Sequence, residues 1–161
     1  MESFRQDIAE LLEKANNALR TADHMIYVTF PLIKEKRLLV KILDEIYESI
    51  KNILNAILLQ ENFAGRITLN KDTKTNFIIF GEKCAPRYNI SQEELSEIIE
   101  ISRLIEQHKK SPLEFVRKDK FVIMSENLHT ETITLDKLKD WLFIAKDIFR
   151  KAELGIKSQK L

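Results

Sequence analysis

Between Phe4 and Leu58 apolar residues recur at steps of three and four, with one interruption near Pro31, and that periodicity commits the first third of the chain to two long helices. Phe4, Ile8, Leu11, Leu12, Ala15, Leu19, Ala22 and Ile26 mark the first. Ser3 is its expected N-cap, with Gln6 at the capping-box position. Pro31 disfavours helical geometry at Phe30, which predicts an end or a bend near Thr29. Leu39, Ile42, Leu43, Ile46, Ile50, Ile53, Leu54 and Ile57 mark the second, and Leu38, Tyr47 and Leu58 widen its stripe. A stripe that broad predicts burial on two sides. In a chain of 161 residues it also predicts a homodimer. Gly65 signals the stop, and a loop of about five residues sets the two helices antiparallel.

The remaining chain reads as shorter elements. Phe77, Phe80 and Cys84 sit at helical spacing before Pro86, which predicts a short helix over 73–85. Ser91-Gln92-Glu93-Glu94 is a capping box opening a helix with Leu95, Ile98, Ile101, Leu104 and Ile105 on its face. Ser111-Pro112-Leu113-Glu114 is a second start signal, predicting a short helix to about Lys118. Phe121-Val122-Ile123-Met124 and Thr130-Glu131-Thr132-Ile133 flank a polar turn and read as a hairpin. A last helix is expected from Leu135 or Asp136 to Leu154, with Gly155 as its C′ residue. The expected fold is all-α: an antiparallel bundle of about five helices with a small β-hairpin before the last. It forms one domain over 1–155, with a tail, 156–161, that frays.

Composition removes several classes of function. Three glycines cannot supply a dinucleotide-binding glycine loop, and one cysteine cannot build a disulfide or a cysteine zinc site. The three histidines, His24, His108 and His129, have no metal-ligand spacing, so neither metal nor cofactor is implied. The N-terminus is polar and acidic rather than signal-like, and the longest stretch free of Asp, Glu, Lys and Arg is residues 24–33, too short to span a bilayer. A cytoplasmic protein with no membrane partner is expected.

Arg103-Leu104-Ile105-Glu106-Gln107-His108 places Arg-x4-His on the helix after Ser91. With the two long helices before it, the shorter third element and the closing helix, this layout resembles a HEPN domain. The resemblance implies a small, often dimeric helical bundle, and in many members a metal-independent ribonuclease. His108 would then be the acid/base and Arg103 the phosphate clamp. The chemistry suits the residue types, since imidazole exchanges protons near neutral pH and guanidinium presents a planar fork to phosphate. Leu104 departs from the polar residue, commonly Asn, that follows the arginine in active members. Five positions on a regular helix also turn side chains about 140° apart. The pair converges only if the helix unwinds before His108 or a second chain completes the site. Lys110-Ser111-Pro112-Leu113-Glu114-Phe115 and the run from Arg117 to Ile123 are similar to small archaeal proteins of unassigned function, which brings no activity with it.

Beside that pair, Lys109, Lys110, Arg117, Lys118 and Lys120 fall within twelve residues against Glu114 and Asp119, with Phe115 interleaved. Cations and aromatics together hold phosphates and stack bases. Residues 137–160 add seven cations against three acids, whereas residues 1–62 carry ten acids and eight bases, so the net charge of +1 hides an asymmetry. The expectation is an RNA-interacting protein, acting on RNA or a ribonucleoprotein such as the ribosome, with endoribonuclease activity as a subset. The alternative is a non-catalytic helical interaction or regulatory module, partner to a nucleotidyltransferase, or a nucleotide binder.

Overall fold

The computed structural model describes residues 2–111 and 113–159. Helix α1 spans Glu2–His24, α2 Phe30–Ile33, α3 Leu38–Phe63, α4 Thr73–Ile79, α5 Gln92–Lys110 and α6 Leu135–Lys157. Strands β1 (Leu113–Arg117), β2 (Lys120–Met124) and β3 (Thr130–Ile133) form one antiparallel sheet in the order β1-β2-β3. The protein is mostly helical, with the sheet inserted between α5 and α6.

Helices α1 and α3 pack along one another, and α6 packs against both. Their apolar stripes become the core. Leu39, Ile42, Leu43, Ile46, Ile53 and Ile57 of α3 are fully buried, each worth about 2 kcal/mol in removed apolar surface. α3 also meets α5 and the helical turn Phe80–Cys84. The breadth of its stripe, which pointed to a second copy, is therefore covered within one chain.

Both prolines near helix ends are met by the same device. Where an end or a bend is expected near Thr29, the helix does not end but widens into a π-turn at Met25–Thr29, where the Phe30 N–H bonds to the Met25 carbonyl, and then continues as α2. A second π-turn, Phe80–Cys84, precedes Pro86, with the Ala85 N–H on the Phe80 carbonyl at 2.8 Å. A proline ring collides with the carbonyl four residues back, and a wider turn moves that carbonyl aside. Residues 73–85 are thus helical, as their spacing predicts.

Three boundaries differ from expectation. α1 already includes Glu2, so Ser3 lies inside the helix, whose first turn is held by the Phe4 ring 4.9 Å from that of Phe63. α6 runs past Gly155 to Lys157, burying Ile156. Gly155 answers to packing rather than capping, since a Cβ there would run into the Tyr88 ring. The third difference is the largest. Residues 113–117 are strand β1, not a helix. Ser111 opens no helix and instead is the C-cap of α5; its hydroxyl lies 2.7 and 2.8 Å from the carbonyls of Leu113 and Met124 and shares its one proton between them. A hairpin alone is marginal, and β1 stabilises it by pairing Val116 with Phe121 and Phe115 with Val122. Pro112, the other half of the start signal, lies outside the described residues.

The capping box on α5 is present on both sides, with Glu94 N–H on Ser91 Oγ at 3.1 Å and Ser91 N–H on Glu94 Oε1 at 2.9 Å. No described helix is long and apolar enough to cross a membrane.

Candidate nucleic-acid interface

Strand alternation sorts the sheet into two faces. In register, Glu114, Ile123 and Glu131 form one cross-strand row, and Val116, Phe121 and Ile133 the next. Phe121, Ile123 and Ile133 are buried, so this face looks into the molecule. The opposite face carries the row Phe115, Val122, Thr132 and, beside the turn, Arg117 opposite Lys120.

Arg103 and His108 belong to the inner side. α5 is regular through Lys110, so the helix does not unwind to bring them together. Arg103 gives Nε and one terminal nitrogen to the Glu100 carboxylate at 3.1 and 2.6 Å, and the other to Glu131 at 2.9 Å. These hydrogen bonds, first the Glu100 one, raise the guanidinium further above its already high range. The same contact holds the Glu100 carboxyl below its usual range. His108 Nδ1 donates to Glu114 Oε2 at 2.6 Å. Glu114 and Glu131 are the two ends of one row, about 10 Å apart across β2. The Arg-x4-His pair therefore pins opposite edges of the sheet to α5. Glu114 orients the His108 ring through its contact with Nδ1. Arg103 sits between two carboxylates, a net negative setting that offers no clamp to a phosphate.

The outer face brings four of the expected binding residues into one place. Phe115, Arg117, Lys118 and Lys120 line a shallow cavity of about 290 Å³, together with Val122, Thr130 and Thr132. Among the described residues no carboxylate lies within ion-pairing distance of Arg117, Lys118 or Lys120, whereas Arg103, His108, Lys110, Arg150 and Lys151 in the same half of the chain each have one. Lys118 takes a left-handed backbone, φ +55°, at the two-residue turn between β1 and β2. Lys109 and Lys110 close α5 and line no part of this cavity; Lys110 pairs with Glu106 at 3.3 Å.

The basic stretch on α6 has other employment. Lys146 pairs with Asp23, Arg150 with Asp147, Lys151 with Glu94 and Asp147, and Lys157 with Glu153. Lys137 and Lys139 lie over the rings of Trp141 and Tyr27. Trp141 itself is a core residue whose indole N–H donates to Glu97 at 2.6 Å. Cys84 is buried, and burial pushes its thiol up to about 11.

Val122, Thr130 and Thr132 were missed as lining residues because their place depends on register. The alternation Leu113, Phe115, Arg117 was the available signal for β1, and the helix-start motif before it masked that signal. No protein-family model matches the chain, and no curated protein matches its sequence.

Proposed function

We propose that the outer face of the β1-β2-β3 sheet binds single-stranded RNA, free or within a ribonucleoprotein, on a HEPN-like helical bundle. The observation that carries this reading is the convergence of Phe115 with three cations, Arg117, Lys118 and Lys120, that have no carboxylate partner among the described residues, at one cavity of the sheet and its turn. A strand surface with a half-buried aromatic ring, Phe115, beside the buried Val122 suits a base in a stack, and the exposed cations at its turn end suit the backbone phosphates. The geometry supports binding without cleavage, because Arg103 is neutralised by Glu100 and Glu131 rather than left for a phosphate.

Fluorescence anisotropy with a short unstructured RNA tests it. Three phosphate contacts give a log–log salt slope of about −2. Lys118→Glu with Lys120→Glu lowers affinity on the order of 10- to 100-fold, and Phe115→Ala about tenfold. Binding that ignores salt and survives the double charge reversal points instead to a protein partner. RNA stays intact during the measurement; metal-free cleavage that disappears in His108→Ala would establish the ribonuclease step.

A further inference from the structure

Far from the sheet in sequence, a carboxylate near the end of α3 is buried under two guanidiniums. Glu61 is 1% exposed. Arg66 donates from Nε to its Oε2, and Arg87 brings Nε to 3.2 Å from Oε1. The Arg87 contact is off the hydrogen-bonding line, so Oε1 has no hydrogen-bond donor. A terminal nitrogen of Arg66 donates to Gln159 Oε1. Gln159 is itself fixed, with its amide nitrogen 2.8 Å from the Gly155 carbonyl and 3.1 Å from the Tyr88 hydroxyl. Two arginines from different segments, one after α3 and one after the second π-turn, thus meet on one anion.

Charge balance needs only one of them. The group carries a net +1, and both arginines approach Glu61 through Nε. That leaves one terminal nitrogen of Arg66 and both of Arg87 without a hydrogen-bond partner among the described residues. The two side chains remain 34% and 48% exposed above the buried carboxylate. Arg87 thus keeps both terminal nitrogens, the edge of arginine that grips two oxygens of one tetrahedral anion, and Arg66 adds a single donor beside it. Holding both guanidiniums in place beforehand removes much of the ordering cost of that grip.

We propose that Arg66 and Arg87, positioned by Glu61, form a clamp for a phosphoryl group. The clamp shares no residue with the sheet surface and stands or falls apart from it. NMR of the arginine Nε–Hε resonances in the full chain, titrated with inorganic phosphate and in parallel with chloride at equal ionic strength, reads it directly. Phosphate produces saturable shifts at Arg66 and Arg87, and chloride does not. Arg87→Lys keeps a cation over Glu61 but loses the fork, and it weakens phosphate binding roughly tenfold. Arg66→Lys, which removes the single free donor on that side, weakens it to a smaller degree and guards against misfolding of either variant alone. Arg117→Gln leaves the titration unchanged. Linear shifts alike for both anions, or an unaltered midpoint in the folded lysine variants, overturn the clamp. A short RNA added to the phosphate-saturated protein distinguishes a nucleic-acid phosphate from a free one by whether it displaces the ion.

Discussion

Cations meet both faces of the small sheet and are used there in opposite ways. Toward α5, Glu114 and Glu131 are engaged by His108 and Arg103, and the apolar residues between them, Phe121, Ile123 and Ile133, are in the core. Toward solvent, Arg117, Lys118 and Lys120 stand around Phe115 with no carboxylate partner among the described residues. The arginine that α5 sets against the inner face is a fastener, and the arginine of β1 on the outer face has no carboxylate partner among the described residues. The lesson is that pairing separates a structural cation from an available one; residue type does not.

The sharpest way to break the contrast is at the centre of the inner row. Ile123→Ala removes a fully buried side chain and costs about 3 kcal/mol of stability by urea unfolding. A loss under ~1 kcal/mol would mean that the sheet is not part of the core. Arg103→Gln comes next. Its side chain is 44% exposed, so solvent screening limits the cost to about 1 kcal/mol. RNA affinity then stays within about twofold, whereas Arg117→Gln reverses the pattern, lowering affinity and sparing stability.

A pH series sharpens the same point. Arg103's hydrogen bond holds the Glu100 carboxyl below its ordinary 4.5. For a depressed acid the stabilisation is complete above the unfolded value and is lost as pH falls through the folded one. The stability gap between the wild type and Glu100→Gln therefore closes on acidification from about pH 5 to 3. The smallest effect is at the far loop. Leu128 has φ +63° and is 76% exposed, a conformation that asparagine tolerates better. Leu128→Asn gains about 0.5 kcal/mol in thermal unfolding and leaves RNA affinity alone.

The helices were legible because their causes are local. Apolar spacing marked α1, α3, α5 and α6, and Ser91 with Glu94 marked the start of α5 within a residue. Phe115, Arg117, Lys118 and Lys120 were legible as a group because they are neighbours in the chain. Strand β1 was not legible, because Ser111, Pro112 and Glu114 imitate a helix start and only pairing with β2 decides otherwise. Nothing near Arg103 in sequence announces Glu131, 28 residues on, and nothing near Glu61 announces Arg87.

By itself, then, the sequence determined a mostly helical chain, the presence and buried face of its long helices, and the concentration of cations between α5 and β2. Those follow from interactions within four residues, where the backbone's own geometry sets who meets whom. The tertiary structure alone decided which of those cations are neutralised, because a salt bridge depends on side chains meeting across strands and helices far apart in the chain. Register supplied that meeting for Arg103 and His108, and left Arg117, Lys118 and Lys120 facing water.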